Sequence, residues 1–225
     1  MFVPFGFATA GVKEGDLAKY LIETSRFDEF TGARASELYL FTIEVQNVTA
    51  TNVTTTQVFQ YENGTLISMH TTEEKLNSLY FIELDLDKES IIEYSLFENE
   101  ISLSINGTIE KTYADAPREV NYVEMNNLDV NTPIENSTKI DLKLYWDKTT
   151  GVLCEYSVSY TISDEIGSVQ ISTSVKITET NLWKPERSLL SQWWFWMVIG
   201  LLSFCISGLL FTAQRKRKRS NRQSH

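Results

Sequence analysis

One stretch decides the fold class of this chain: Val152-Leu-Cys-Glu-Tyr-Ser-Val-Ser-Tyr-Thr-Ile162. Apart from Leu153, its side chains alternate, so that every second residue from Val152 to Ile162 is apolar. Such an alternation is typical of a β-strand that buries one face and exposes the other to solvent. The stretch therefore predicts a sheet with one buried side.

Two similar runs flank this stretch, one at residues 140–146 and one at residues 169–177. The connections at 147–151 and 164–167 are short, and each ends in a glycine that can take the positive φ of a tight turn. Short connections join antiparallel neighbours. The three runs therefore predict an antiparallel meander.

Upstream segments rich in Val, Ile, Thr, Tyr and Phe predict five further strands, at residues 17–24, 38–47, 53–61, 65–71 and 79–87. The segment 89–98 fits either a strand or a short helix lying across the sheet. The predicted fold class is mainly β, with an antiparallel twisted sheet arranged as a sandwich or a curved half-barrel.

Two Asn-Gly pairs predict hairpins. A two-residue turn at Asn63-Gly64 places Tyr61 opposite Leu66, and by the same register Val58 opposite Met69. At Asn106-Gly107 a three-residue bulged loop gives the better match of apolar residues, because it pairs Ile105 with Ile109.

Charge is unevenly distributed along the chain. The 225 residues carry a formal net charge of −10, but six of the 20 basic residues lie between positions 215 and 222. The part before them has 14 basic against 30 acidic residues, a net charge of −16. A domain this acidic repels the phosphates of nucleic acid, so we expect no nucleic-acid partner.

The sequence carries no catalytic or cofactor-binding pattern. Cys154 lies in the apolar register of its predicted strand and Cys205 in the apolar C-terminal run, so the two do not form a disulfide. His70 is the only histidine before the C-terminus, which leaves a metal site or a nucleophile–histidine pair without a second histidine. We therefore expect a protein that is not an enzyme and binds neither cofactor nor metal.

The C-terminal region predicts a transmembrane helix. No residue from 188 to 214 is charged, and residues 193–213 form an apolar run of 21 residues. At 1.5 Å per residue this run spans about 30 Å, the thickness of the hydrocarbon core of a bilayer. Aromatic residues at its start and basic residues after it are expected to lie at the membrane interfaces and to place the C-terminus in the cytoplasm. These interface anchors are Trp193, Trp194, Trp196, Arg215, Lys216 and Arg217.

Residues 1–10 form a short apolar stretch that ends in Ala8-Thr9-Ala10, a small-x-small pattern typical of signal-peptidase sites. No basic residue precedes the apolar part, so we interpret the segment as a truncated or weak signal peptide or, alternatively, as a hydrophobic first strand. The expected organisation is a signal peptide at 1–10, a β-rich extracellular domain at 11–187, a transmembrane helix at 188–213 and a basic cytoplasmic tail at 214–225.

Five Asn-x-Ser/Thr sequons lie in the predicted outer domain and none lies in the tail. Each is a candidate glycosylation site, and the chain is therefore expected to be a cell-membrane glycoprotein. The five asparagines are Asn47, Asn52, Asn63, Asn106 and Asn136.

Three segments carry a resemblance to a known group of proteins: Gly11-Val-Lys-Glu-Gly-Asp-Leu-Ala-Lys-Tyr20, Tyr113-Ala-Asp-Ala-Pro-Arg-Glu-Val-Asn-Tyr122 and Tyr145-Trp-Asp-Lys-Thr-Thr-Gly-Val-Leu153. Together they resemble uncharacterised archaeal cell-surface proteins, with a departure at Leu17, where an aromatic residue is more usual. The resemblance implies a signal peptide, a β-rich outer domain and a C-terminal helix with a basic tail. It implies no activity and no catalytic residues.

Two functions fit these features. The first is a noncatalytic, membrane-anchored surface protein whose exposed sheet binds a surface protein or a glycan, with the lipid bilayer as a partner of the C-terminal helix. The second is a carrier or sensor for a lipid-like ligand held in a curved sheet, which requires aromatic residues of the strands to line a pocket. The residues concerned are Phe81, Trp146, Tyr156 and Tyr160.

Overall fold

A computed structural model describes residues 11–84, 86–96, 99–130, 138–163 and 167–184, together with Met197. The chain divides into two units, Met1–Lys184 and Pro185–His225. The described residues include no helix long and apolar enough to cross a membrane. Apart from Met197, the predicted span at 188–213 and the tail lie outside those residues, as do the predicted signal peptide and Asn136.

The described part of the first unit contains eleven β-strands. Their bounds are β1 Leu17–Asp28, β2 Arg34–Val48, β3 Asn52–Tyr61, β4 Leu66–Lys75, β5 Ile91–Leu96, β6 Asn99–Ser104, β7 Gly107–Tyr113, β8 Ala116–Val130, β9 Thr138–Asp147, β10 Leu153–Ser163 and β11 Ser168–Thr180.

Nine of the strands form one antiparallel sheet in the order β4-β3-β2-β1-β11-β10-β9-β8-β7, and β5 pairs with β6 in a separate two-stranded sheet. The expectation of a mainly β chain with a large antiparallel sheet is confirmed. The predicted meander of residues 140–177 is confirmed as well, because Val158 of β10 lies opposite Leu142 of β9 on one side and Thr173 of β11 on the other.

The core lies mainly on one face of this sheet, which we call the covered face. There Leu142, Leu144 and Val158 pack in one buried cluster with Ile92 of β5 and Leu103 of β6. Complete burial of a side chain of this size stabilises a fold by about 1.5–3 kcal/mol. The β5–β6 hairpin therefore acts as the cover of this face.

A second cluster extends the core to β1 and β2. Tyr20 and Phe41 are fully buried, with ring centroids 5.9 Å apart, and Tyr80 lies 5.3 Å from Phe41. Aromatic pairs at such distances contribute about 0.5–1.5 kcal/mol beyond the burial of their area. The irregular segment before β5 therefore continues the cover over β1 and β2.

The opposite face, which we call the outer face, carries a polar row across its central strands. Lys143 of β9, Ser157 of β10, Ser174 of β11 and Glu23 of β1 lie opposite one another in a row across four strands. Directly opposed residues project from the same side of a sheet. The polar half of the predicted alternation therefore forms one continuous surface.

Leu153, the exception to the alternation, is explained by a β-bulge. Leu153 lies opposite Trp146 and Glu155 lies opposite Tyr145, so Cys154 is the additional residue of β10. A bulge places two residues opposite one and changes the face to which the strand directs its side chains. Leu153 and Cys154 are both fully buried, in the two different clusters.

The predicted two-residue turn at Asn63-Gly64 is wrong in one detail. Tyr61 N–H donates to Thr65 O at 3.0 Å, and Gly64 has φ = 82°, so the loop is longer by one residue. Gln60 therefore lies opposite Leu66, where Tyr61 was expected. A bulge in the next step restores the predicted pair of Val58 with Met69.

The predicted hairpin at Asn106-Gly107 is wrong. Ile105 N–H donates to Ser90 O in the β5–β6 cover, whereas Asn106 N–H donates to Tyr122 O of β8. The Asn-Gly pair is thus the crossing between the two sheets. On the β6 side of this crossing Leu103 and Ile105 are buried in the cover, whereas Ile109 of β7 is 38 % exposed.

The predicted strand at 79–87 is also wrong, since the described residues 79–84 and 86–87 form no strand and contain a single bridge, from Phe81 to Val152. Its backbone is bound instead to the turn after β9, through Ile82 N–H to Gly151 O and Leu153 N–H to Tyr80 O. The alternating apolar residues of this segment pack into the core although its backbone forms no regular strand. Residues 91–96, left open between strand and helix, form β5.

Candidate functional site

The three segments that carry the family resemblance meet at one end of the sheet. Tyr20 of the first segment donates its hydroxyl hydrogen to Leu153 O of the third at 2.9 Å, and Arg118 of the second forms an ion pair with Asp147 of the third. We call this group the motif junction. Tyr20, Asp147 and Leu153 are fully buried.

Asp147 is the centre of the motif junction. Its carboxylate accepts hydrogen bonds from Nε and Nη2 of Arg118 at 2.6 and 3.0 Å and from N and Oγ1 of Thr150, both at 2.8 Å. These bonds to Asp147 raise the pKa of Arg118, whose guanidinium also lies 4.9 Å from the Trp183 ring. Both oxygens of this buried carboxylate accept hydrogen bonds, so its charge is fully paired within the fold.

The turn of the junction fixes the segment before β5. Trp146 Nε1 donates to Leu79 O at 2.9 Å. Gly151 has φ = 71°, and a Cβ there would lie 2.2 Å from Ile82 O. Gly11 meets the same turn, where a Cβ would lie 2.5 Å from Thr149 O. Residues of the resemblance motifs therefore take part in close backbone packing at this turn.

A half-buried cluster of charges and rings lies on the outer face next to the junction. Glu155 accepts hydrogen bonds from Lys111 Nζ at 2.8 Å and Tyr113 Oη at 2.7 Å, and Lys111 Nζ lies 3.7 Å from the centre of the Tyr145 ring. Burial acts to raise the pKa of Glu155, but these two bonds and the charges of Lys111 and Lys176 outweigh it and lower the pKa. The charges of Glu155 and Lys111 are therefore paired with each other inside the cluster.

An open groove of about 560 Å³ lies at the far end of β11, β1 and β2, and its volume is within the usual range for ligand sites. We call it the serine groove. One row across the strands is Ser172, Ser25 and Ser36, and the next is Gln170, Phe27 and Arg34. Its lining residues are Glu23, Ser25, Arg26, Phe27, Arg34, Ala35, Ser36, Gln170 and Ser172.

The serine groove offers hydrogen-bond donors and acceptors at regular spacing. Adjacent strands are about 4.8 Å apart, so the three serine hydroxyls repeat at that interval. Glu23 supplies acceptors and Arg34 supplies donors, while the Arg34 guanidinium lies 5.1 Å from the centre of the Phe27 ring. This combination suits a polar, uncharged, extended ligand.

The sequence alone did not reveal the serine groove. The strands predicted at 17–24 and 38–47 stop short of Ser25, Phe27, Arg34 and Ser36, whereas β1 and β2 extend to Asp28 and from Arg34. Only the alternating polar residues of β11 were recognised. The signal that was missed is a serine just beyond the predicted bounds of each strand, Ser25 after residue 24 and Ser36 before residue 38.

The aromatic residues that a lipid pocket would require lie elsewhere. Trp146 and Phe81 are buried in the core, and Tyr156 and Tyr160 are half-buried against it. An apolar cavity beside Phe81 measures about 10 Å³, which is room for about one water molecule.

The sequons are distributed over the surface of the sheet. Asn47, Asn63 and Asn106 are exposed, whereas Asn52 is half-buried and donates from Nδ2 to Glu73 Oε1 at 2.6 Å. His70 is exposed on β4. No group of three or more metal-ligating side chains occurs within the residues that the structure describes.

Comparison with known protein families finds none that matches this chain, and comparison with curated proteins finds no similar sequence.

Proposed function

We propose that this protein is a noncatalytic, membrane-anchored cell-surface protein whose outer sheet face binds a neutral glycan of the surroundings through the serine groove. The observation that carries this proposal is the groove itself, an opening of about 560 Å³ with a cross-strand row of serine hydroxyls. A sugar chain presents hydroxyls at short intervals and apolar ring faces, which pair with serine, glutamine and an aromatic side chain.

The charge of the domain supports a neutral ligand. The chain before the basic tail has a net charge of −16, so an anionic polymer would be repelled over a range of about 8–10 Å at physiological salt. The lining of the groove carries the negative charge of Glu23 against the positive charges of Arg26 and Arg34. A protein partner with a polar loop of this shape is the second occupant that the groove fits.

The proposed location follows from the sequence. The apolar run at 193–213 with aromatic and basic flanks is the proposed single membrane span, with residues 11–187 outside and the tail inside. We propose further that the nine-stranded sheet curves as a half-barrel around the β5–β6 cover. What supports this shape is that one sheet holds nine strands and a hairpin of two covers its buried face.

Binding to oligosaccharides tests the proposal. The full chain, held in nanodiscs, is applied to an array of neutral hexose and N-acetylhexosamine oligosaccharides, and retained sugars are titrated by calorimetry. Ser25→Tyr and Ser172→Tyr fill the groove and are expected to weaken binding at least tenfold. The matched control is Thr56→Tyr, on the outer face of β3 and not among the groove residues.

Two results contradict the proposal: retention of no neutral oligosaccharide, or equal weakening by Thr56→Tyr and the groove variants. Native mass spectrometry of the same sample tests the alternative function, a carrier for a lipid-like ligand. A co-purified lipid bound to the outer domain, identified by its mass after release from the nanodisc, would favour the lipid carrier instead.

A further inference from the structure

The hairpin of β3 and β4 concentrates apolar surface at one edge of the nine-stranded sheet. Of the eight large apolar side chains exposed in the described residues, four lie here: Tyr61 at 49 %, Leu66 at 56 %, Ile67 at 44 % and Met69 at 64 %. We call these four residues the apolar edge.

β4 is the last strand of the sheet, and no strand of the described chain pairs with its free side. An exposed, apolar edge strand is a template for pairing with another chain, and proteins usually protect it with charge, proline or a cover. The charges of β4 are Glu73, Glu74 and Lys75, all at its other end. The half that carries Leu66 and Met69 has none of these protections except the bulge next to Ile67.

A sequon lies directly beside this unprotected half. Asn63 is exposed in the loop that leads into β4, and its Oδ1 accepts a hydrogen bond from Thr65 N–H at 2.9 Å. That bond holds the oxygen of the amide against the loop and leaves Nδ2 on the solvent side. By contrast, Nδ2 of Asn52, at the opposite end of β3, already donates to Glu73.

We propose that an oligosaccharide attached to Asn63 covers the apolar edge and prevents β4 from pairing with a second copy of the chain. The proposal rests on the outside location proposed above. A glycan anchored three residues before Leu66 reaches the whole unprotected half of the strand, which at about 3.3 Å per residue is some 13 Å long.

The attachment requires a lipid-linked oligosaccharide phosphate as co-substrate and a membrane transferase. Nδ2 of Asn63 attacks the anomeric carbon of the first sugar, and the new C–N bond replaces the bond between that carbon and the phosphate oxygen. The lipid phosphate leaves with the electron pair, and the displaced amide proton passes to a base of the transferase. Thr65 completes the recognition sequence.

The test expresses the full chain in a host that transfers N-glycans and compares four forms: wild type, Asn63→Gln, Thr65→Ala and Thr65→Ser. Asn63→Gln removes the acceptor asparagine of the sequon and Thr65→Ala removes its hydroxyl residue, whereas Thr65→Ser keeps the sequon. Peptide mass spectrometry measures the fraction of chains that carry a glycan at Asn63 and at Asn106. A glycan at Asn106 shows that the chain reached the transferase. Light scattering after size-exclusion chromatography in detergent measures the oligomeric state.

Wild type and Thr65→Ser are expected to be occupied at Asn63 and monomeric, and at least half of Asn63→Gln and Thr65→Ala is expected at twice the monomer mass or more. Adding Leu66→Lys and Met69→Lys to Thr65→Ala should restore the monomer, because charge replaces the missing cover. The proposal is overturned if wild type carries no glycan at Asn63, whether or not Asn106 carries one. It is also overturned if both variants that lack the sequon stay monomeric. If those variants fail to fold, wild type treated with a glycosidase after folding must form the dimer.

Discussion

Arg118 binds the buried carboxylate of Asp147 in a bidentate ion pair, with Nε 2.6 Å from Oδ1 and Nη2 3.0 Å from Oδ2. Asp147 is completely buried and Arg118 is 20 % exposed, so little solvent screens the pair. The two residues come from strands β8 and β9 and join two of the segments that carry the family resemblance. This contact lies at the end of the sheet near Trp183, whose ring is 4.9 Å from the Arg118 guanidinium.

Replacing Asp147 by alanine is expected to destabilise the β-domain by about 3–5 kcal/mol, because the change leaves the Arg118 charge unpaired and removes the acceptor for Thr150. The free energy of unfolding is measured by urea titration of the full chain in non-ionic detergent. Glu179→Ala is the control. It breaks an ion pair with Lys19 in which both side chains are exposed, and it should cost less than about 1 kcal/mol.

Gly151→Ala is expected to destabilise the fold by more than Gly64→Ala. Both glycines have positive φ, 71° and 82°, so each alanine incurs a backbone cost of about 1–2 kcal/mol. Only at position 151 would the new Cβ also collide with backbone, 2.2 Å from Ile82 O, while position 64 is open. Thermal unfolding followed by circular dichroism measures the difference, and equal melting temperatures would contradict the packing of the turn against the segment before β5.

The interaction of Glu155 with Lys111 and Tyr113 is expected to weaken in acid. The pKa of Glu155 is lower in the folded than in the unfolded chain, so its contribution is complete above the unfolded value of about 4.3. It is lost as the pH falls through the lower folded value, where the carboxyl is protonated in both states. Urea midpoints at pH 7 and pH 3 measure this dependence.

Glu155→Gln is the corresponding variant. It should lower the urea midpoint at pH 7, by the equivalent of about 1 kcal/mol once solvent screening of this half-buried group is counted, and lower the midpoint by less at pH 3, where more of the wild-type carboxyl is protonated. A deficit of the variant that is as large at pH 3 as at pH 7 would show that packing, and not charge, accounts for the effect.

Arginine substitutions at the centre of the apolar C-terminal run should release the protein from membranes. Each arginine at the middle of a span costs about 2.5–3.5 kcal/mol of insertion free energy, so Leu202→Arg combined with Ile206→Arg should move most of the chain to the soluble fraction after alkaline carbonate extraction. Ser220→Arg in the basic tail is the control and should stay in the pellet. Release of the wild type under the same conditions would contradict the proposed anchor.

The strand pattern of this domain could be predicted where alternation is local, and less well where partners are distant in sequence. The meander of β9, β10 and β11 follows from alternation and two short turns. The strand assigned to residues 79–87 was wrong, because apolar alternation reports burial and not strand pairing. The backbone of Ile82 finds its partner at Gly151, about 70 residues away.

Candidate sites show the same limit. Asn63 and the apolar residues after it are recognisable in the sequence, but the exposure of Leu66 and Met69 depends on β4 being an edge strand. The serine groove was missed because its rows combine Ser25 and Ser36 with Ser172, which is distant from both along the chain. Register between strands, which a sequence does not display, decides which hydroxyls become neighbours.

The sequence by itself determined the β class of the domain, the one-sided burial of its strands, the acidic charge and the apolar run that predicts a membrane span. These properties depend on composition and on periods of two residues, which are local. The tertiary structure decided the order of the nine strands, the use of residues 91–104 as a cover, the bulge that buries both Leu153 and Cys154, and the buried Arg118–Asp147 pair. Each of these depends on contacts between residues distant in sequence, which form only where the packing of one face brings them together.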